Sequence, residues 1–385
     1  MTERVTAYIG LGSNLGVRDR AIRDALRMLA DDEAIEVTRV SDIQETAPLG
    51  ATDQPQFLNG VAELRTTLAP EALLQRCKAT ESALGREPHS SWQPRPIDLD
   101  LLLYGQQIVR SAGLVVPHPD IHLRSFVLDG LCQLDPQLGH PLLDEPVSEL
   151  SQRLAGSSYL LDPEAPQLVH IAGMIGAGKT TLAKKLAEAL SAELLCEPYD
   201  TNPFLPQVYA GKVELALDSQ LYFLVHRADQ LGRGRLATGQ TFVTDYVFEK
   251  ELIYARRLLD AEQLELYERV YELFSQRITA PVLVIYLEDS PGNCLERIHR
   301  RNRPYEQRIT LDFLERLDGD YRRLFGDWTH CPVIRIPTTK LTGYADAVVE
   351  HVVRQVKAYI APGLKSGETR DGQVVGTNAG SQDDN

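Results

Sequence analysis

A glycine-rich run closing on Lys-Thr-Thr is the densest chemical signal in the chain. Gly173-Met-Ile-Gly176-Ala177-Gly178-Lys179-Thr180-Thr181 follows an apolar stretch and precedes a helical pattern. Glycines allow backbone N–H groups to turn inward around phosphate oxygens, where a Cβ would obstruct them. The following helix points its positive end at the same oxygens. This spacing is that of a P-loop and implies a nucleoside triphosphate held by Gly173, Gly176, Ala177, Gly178 and Thr181. Lys179 then reaches the β/γ-phosphates, and the Thr180 hydroxyl holds Mg²⁺.

Carboxylates supply a second signal. In residues 94–104, Pro-Arg-Pro-Ile-Asp-Leu-Asp-Leu-Leu-Leu-Tyr, side chains two apart share a strand face. Asp98 and Asp100 therefore point one way, and Leu99, Leu101 and Leu103 point into a core. Neighbouring carboxylates repel unless a cation lies between them: the pair reads as a Mg²⁺–phosphate clamp or, taken alone, as a solvated acidic edge. Glu197 follows a short strand-like run, placed either to take a proton from an attacking hydroxyl or to start a helix. Asp245 ends another strand-like run, where a P-loop enzyme keeps a second Mg²⁺-related carboxylate. Arg297, Arg300, Arg301 and Arg303 crowd one stretch, as a surface charge run or as a lid over a triphosphate.

Elements must position these groups. At 385 residues the chain calls for two domains. Short amphipathic strands at residues 5–11, 35–40 and 59–68 interleave with helices starting near Arg18 and Pro70, which predicts an antiparallel or mixed α+β sheet. Gly, Ser and Pro break the pattern at residues 155–158 and 162–166, so the boundary falls near 160. Beyond it, strands at 193–196, 241–245 and 281–287 alternate with helices, one running from Val213 to about Leu236, which predicts a parallel sheet covered on both faces. The expected divisions are 1–160, 161–361 and a disordered polar tail, 362–385. A net charge of -14 argues against nucleic-acid or anionic-membrane partners. Five cysteines without C-x-x-C spacing indicate neither a zinc site nor a disulfide framework. With no signal layout and no long apolar run, the expectation is a cytoplasmic protein.

In order, Gly12-Ser-Asn14, Thr46-Ala-Pro-Leu-Gly50, Asp53-Gln-Pro-Gln-Phe-Leu-Asn59, Pro94-Arg-Pro-Ile-Asp-Leu-Asp100 and Val116-Pro-His-Pro-Asp120 resemble the 6-hydroxymethyl-7,8-dihydropterin pyrophosphokinases of folate biosynthesis, over residues 1–155. That resemblance implies a ferredoxin-like α+β fold and transfer of pyrophosphate from ATP to the pterin hydroxymethyl group. By it, Asp98 and Asp100 bind two Mg²⁺ ions and Phe57 and Phe126 sandwich the pterin. Asn59 and the backbone near Thr46 and Leu49 read the pterin edge. Arg86, Arg95, His118 and Arg124 hold phosphates, with Arg86 and Arg95 catalytic. Glu81 supports the ATP side, and Trp92 sits on a closing loop. The loop Glu87-Pro-His-Ser-Ser91 lacks the family's further basic residues, and Pro119 follows His118 in place of an aromatic.

The second half is similar to the deoxyribonucleoside kinases over residues 167–358, by its P-loop, Glu197-Pro, Asn202-Pro-Phe204, the Tyr209–Gln220–Arg227 spacing and the arginine cluster. The resemblance implies an α/β P-loop kinase that moves the ATP γ-phosphoryl to a deoxynucleoside 5′-hydroxyl, with at least one Mg²⁺. Glu197 is then the general base, and Gln220 and Arg227 bind substrate. Tyr209 and Glu306 hold the 3′-hydroxyl, while Arg297, Arg301 and Arg303 meet the phosphates. One departure stands out: Asp245 is followed by Tyr246, where the family carries arginine. A monophosphate or other small-metabolite kinase, or a non-catalytic nucleotide-binding module, are the alternatives. The implied partners are pterin, deoxynucleoside and ATP, with a homodimer left open.

Overall fold

A computed structural model describes residues 3–50, 53–87, 93–111, 113–339 and 346–361. Trp92 with loop residues 88–91, and the tail at 362–385, lie outside the described residues.

The first half runs β1 (Val5–Ser13), α1 (Arg18–Ala30), β2 (Ile35–Val40), β3 (Gln44–Thr46), β4 (Phe57–Thr66), α2 (Pro70–Ala83) and β5 (Asp98–Tyr104). The strands pair antiparallel in the order β2-β4-β1-β5, with β3 on β4. Ile22, Ala25 and Leu29 recur at helical spacing and bury one stripe of α1. Pro70 opens α2, where a missing N–H costs nothing. These helices cover Ala7, Ile9, Leu11, Leu99 and Leu101 on one sheet face.

The other face is covered too. After the hairpin β6 (Val109–Ser111) and β7 (Leu114–Val116), α3 (Ser125–Leu134) packs Val127, Leu128 and Leu131 into the cluster that holds Tyr8, Val61 and Leu102. The hairpin β8 (Gly139–His140) and β9 (Glu145–Pro146) leads into α4 (Val147–Leu154). Residues 59–64 of β4 are all buried, so this strand is not amphipathic as expected. Leu103 is a second correction. A register shift opposite Tyr8 and Ile9 inserts Leu102 as an extra residue, and Leu103 joins the α3 side instead of Leu99 and Leu101.

The second half contains β10 (Gln167–Ala172), α5 (Lys179–Leu190), β11 (Glu193–Leu195), α6 (Leu205–Tyr209), α7 (Ala216–Leu231), β12 (Thr241–Thr244), α8 (Lys250–Leu258) and α9 (Ala261–Ser275). Then come β13 (Leu283–Glu288), α10 (Pro291–Arg301), α11 (Leu311–Gly326), β14 (Val333–Pro337) and α12 (Asp346–Tyr359). Five strands run parallel in the order β11-β12-β10-β13-β14. Every residue of β10 is buried, as a central strand with helices on both faces requires. Strand order reverses direction around β10, and ligands of such sheets bind at the carboxyl ends beside that point. The predicted long helix is shorter than expected: Val213–Leu215 is one 3₁₀ turn, and α7 stops at Leu231 before Gly232.

The halves share apolar packing. Val147, Leu150 and Leu154 of α4 belong to the same buried cluster as Val352, Val356 and Tyr359 of α12. Arg153 Nη1 donates to Gln355 Oε1 at 2.5 Å, and His122 Nε2 meets the Ala358 carbonyl at 2.7 Å. Among the described residues no helix is long and apolar enough to cross a membrane.

Candidate active sites

In the first sheet, β1 sets two glycines opposite the acidic pair. Gly12 pairs with Asp98 on one side and Asn59 on the other, and Gly10 pairs with Asp100. A Cβ on Gly12 would stand 3.1 Å from Asn59 Oδ1 and 3.5 Å from Asp98 Cβ, so glycine keeps the floor between them open. Above it lies a cavity of about 290 Å³ walled by Asp98, Asp100, Phe57, Phe126, Asn59 and Leu49. Arg86, Arg95, His118 and Arg124 complete the charged side of the wall.

Cations hold the acids. Arg86 donates to Asp98, and Arg95 Nη2 lies 3.0 Å from the same carboxylate. Asp100 is 3.7 Å from Arg124, which also pairs with Asp120 at 2.8 Å. The Arg95 guanidinium lies 5.8 Å from the Phe57 ring centre. Asp120 N–H donates to His118 Nδ1 at 3.2 Å, which puts the neutral ring's proton on Nε2. Burial lowers the His118 pKa, against the pull of Asp100, so the ring is a neutral donor at pH 7. Two predicted residues stand behind the wall. Thr46 Oγ1 accepts from Asn59 Nδ2 at 2.6 Å and thereby aims that amide. Glu81 is buried and accepts from Arg86 at 2.6 Å and from the Leu99 N–H at 2.7 Å. Burial raises the Glu81 pKa, with Lys78 and Arg86 opposing.

In the second sheet, β10 runs into the glycine loop, where Gly173, Gly176 and Gly178 have φ of 141°, 84° and 95°. A Cβ on Gly176 would meet the Cys294 carbonyl at 2.6 Å, so α10 clamps the loop from outside. Lys179 Nζ donates to Met174 O at 2.8 Å across the loop. Burial lowers its pKa, and Glu197 and Asp245 oppose that shift. Thr180 Oγ1 donates to Asp245 Oδ2 at 2.5 Å, while Asp245 Oδ1 accepts the Glu197 N–H at 2.9 Å. One carboxylate thus couples the start of α5 to the loop after β11.

The Glu197 side chain is fully buried between two cations. Arg227 contacts one of its oxygens, and Lys250 Nζ lies 2.5 Å from the same atom. Neither oxygen accepts a well-aligned hydrogen bond, so charge holds the group in place. Burial raises the Glu197 pKa, Lys250 opposes and Asp245 reinforces it. Arg227 also grips Glu251, which accepts from the Tyr267 hydroxyl. Burial pulls the Arg227 pKa down to about 10.

These groups open on a cavity of about 710 Å³. Its wall includes Gly176, Gly178, Lys179, Thr180 and Thr181, with Glu197, Arg227 and Asp245. Tyr209, Gln220, Arg301, Arg303 and Glu306 lie on the same wall. Arg301 grips Glu306 in a fork, at 2.6 and 2.5 Å, and Arg303 lies 3.6 Å from it. Gly173 and Ala177 are not on the wall, and Arg297 corrects its expected place over the triphosphate. It pairs with Asp289 and donates to Gly176 O at 3.2 Å, bracing the loop from behind.

Residues 8–136 match the family 7,8-dihydro-6-hydroxymethylpterin-pyrophosphokinase (HPPK), and residues 169–361 match deoxynucleoside kinase. The chain belongs to both families. Over 132 residues it is 43% identical to 2-amino-4-hydroxy-6-hydroxymethyldihydropteridine pyrophosphokinase of Bacillus subtilis (strain 168), covering 34% of this chain and 79% of that protein. Over 156 residues it is 36% identical to deoxyguanosine kinase of the same organism, covering 40% of this chain and 75% of that protein. A solved structure of deoxyadenosine kinase from M. mycoides, with products dCMP and a flexible dCDP bound, is 21% identical and covers 50% of this chain and 99% of that one, at a TM-score of 0.43.

Both families are ATP-dependent transferases. Within the HPPK domain Gly10 and Asp120 are also parts of the wall, beyond the residues expected from the sequence. Gly10-x-Gly12 on a strand, two apart and on one face, is the signal that could have marked the floor. Within the kinase domain the residues beyond those expected are Lys250 and Glu251, both buried at the start of α8. Nothing local marks them, because the groups that bury them lie on other elements.

Proposed function

We propose that the chain carries two independent phosphorus-transfer activities, with a boundary near residue 160. In the first, ATP delivers pyrophosphate to the hydroxymethyl group of 6-hydroxymethyl-7,8-dihydropterin and leaves as AMP. Phe57 and Phe126 supply apolar faces for a planar heterocycle, and Asn59, aimed by Thr46, supplies a polar edge. Arg86, Arg95, Arg124 and the His118 Nε2–H donate to phosphate oxygens.

In the second, the ATP γ-phosphoryl moves to a deoxynucleoside 5′-hydroxyl. Glu197 takes the hydroxyl proton, the oxygen bonds to phosphorus, and the bond to the β-phosphate oxygen breaks to release ADP. Burial, which raises the proton affinity of Glu197, suits it to that step. Arg301 and Arg303 donate to the transferring group from the cavity wall, and Tyr209, Gln220 and Glu306 contact the nucleoside.

The donor sets suit Mg²⁺. Asp98 with Asp100 would hold two ions, and Thr180 with Asp245 one. Among the described residues no cluster of three or more His, Cys, Asp or Glu side chains forms a metal cage, in keeping with an ion carried largely by phosphates and water. When bound, the ion neutralises triphosphate charge.

The observation that carries the kinase reading is Glu197, buried on the wall of the P-loop cavity with its proton affinity raised. The test is a panel of the four deoxynucleosides and their monophosphates with purified protein and ATP. A deoxynucleoside monophosphate should appear with ADP. Turnover of monophosphates but of no deoxynucleoside would overturn this reading, and no turnover at all would leave a nucleotide-binding module.

A further inference from the structure

Tyr246 follows the strand-end acid Asp245. Its ring is fully buried, its hydroxyl donates to Gln230 Oε1 at 2.6 Å, and it stacks 6.2 Å from His170. Tyr246 is a core residue and brings no charge to the base. Arg227 cannot follow a moving charge either, because it is divided between Glu197 and Glu251.

Lys250 is differently placed. Among the described residues its ammonium has one carboxylate partner, Glu197 at 2.5 Å, and it lies on the cavity wall. Everything else about the position disfavours a cation. Lys250 is the first residue of α8, at the positive end of the helix. It is buried near Arg227 and Lys179, and these effects bring its pKa down to about 7 against the attraction of Glu197. An apolar side chain of similar length would fill the space without that cost.

We propose, on the reading of the second domain as a nucleoside kinase, that Lys250 is the cation that serves the general base Glu197. Before reaction it holds the Glu197 carboxylate. As Glu197 takes the 5′-hydroxyl proton, that attraction is lost, and the ammonium turns to the new bridging oxygen and the transferring phosphoryl. The cation thereby passes from the charge it holds in the ground state to the charge that develops during transfer.

The test uses the full chain with Lys250→Met, Lys250→Arg and Lys250→Ala, assayed with the deoxynucleoside that the wild type turns over best. Lys250→Met should lose about 10²-fold in kcat while the nucleoside KM moves less than about threefold. Lys250→Arg should retain at least about a tenth of wild-type kcat, and added ethylammonium should restore saturable turnover to Lys250→Ala. ATP titration of each variant, with the pyrophosphokinase site disabled by Asp98→Ala, reports whether the P-loop half is intact. Wild-type kcat in Lys250→Met overturns the proposal, as does a loss that neither arginine nor ethylammonium relieves. If Lys250→Met cannot bind ATP, the arginine variant and the amine-treated alanine variant decide. Wild type that phosphorylates no deoxynucleoside overturns the kinase reading and this proposal with it, whereas active wild type with unimpaired Lys250→Met removes only the role of the lysine.

Discussion

Replacing Arg227 with methionine tests the charge arrangement beneath the kinase cavity. The guanidinium is almost wholly buried between Glu197 and Glu251, both fully buried, and is flanked by the Phe223 ring at 4.7 Å. Removing one partner of a buried ion pair costs about 3–5 kcal/mol, because the other charge stays desolvated. Glu251 has an escape: burial already raises its pKa well above the ordinary carboxylate range, so without Arg227 it takes up a proton. The sign follows from linkage. A carboxyl whose folded pKa is raised binds more protons in the native state, so its stabilising contribution is full below the unfolded pKa and is lost as pH rises through the folded value. The deficit of Arg227→Met should therefore be small near pH 5 and approach the full value at pH 8. For a domain of this size that is roughly 6–20 °C in the midpoint of its unfolding transition. Calorimetric unfolding of wild type, Arg227→Met, Glu251→Gln and the double variant at both pH values measures it. The double variant should lose most of the pH dependence and show a coupling of about 0.5–3 kcal/mol. A deficit below ~1 kcal/mol at pH 8, or one equal at the two pH values, would refute the arrangement.

Three further outcomes are expected. Asp98→Ala should lower AMP formation from ATP and the pterin by about 10³-fold while leaving nucleoside phosphorylation unchanged, and parallel loss of both activities in a folded variant would sink the two-site reading. Glu197→Gln should lower kcat for nucleoside phosphorylation by about 10²–10⁴-fold without affecting pterin pyrophosphorylation, and retained turnover would remove Glu197 as base. Gly176→Ala should weaken ATP binding at the P-loop, because its Cβ meets the Cys294 carbonyl at 2.6 Å and its φ of 84° strains an alanine. The strain is on the order of 1–3 kcal/mol, and calorimetric titration with the pyrophosphokinase site disabled by Asp98→Ala would expose an unaffected affinity.

The P-loop and the Asp98/Asp100 pair could be read from the chain because a few adjacent positions determine each. A glycine at positive φ serves a local backbone turn, and residues two apart on a strand share a face whatever surrounds them. The same logic failed at Leu103, since the extra residue at Leu102 arises from pairing with β1, nearly a hundred positions away. It fails again for the faces of β4, because amphipathicity presumes one solvated side and α3 covers that side. Arg297 was grouped with Arg301 and Arg303 by proximity in the chain. Helix geometry and Asp289 turn it behind the loop, while the other two reach the cavity.

What the amino-acid sequence determined by itself, then, is two phosphate-handling motifs on two unlike element patterns, since each depends on backbone geometry spanning a few residues. Which charges face each other was decided only in the folded molecule. Arg227 from α7 and Lys250 from the start of α8 converge on Glu197, with Glu251 of α8 held by the same arginine, and burial among them, which no local pattern encodes, shifts their proton affinities and makes a glutamate after a short strand a candidate base.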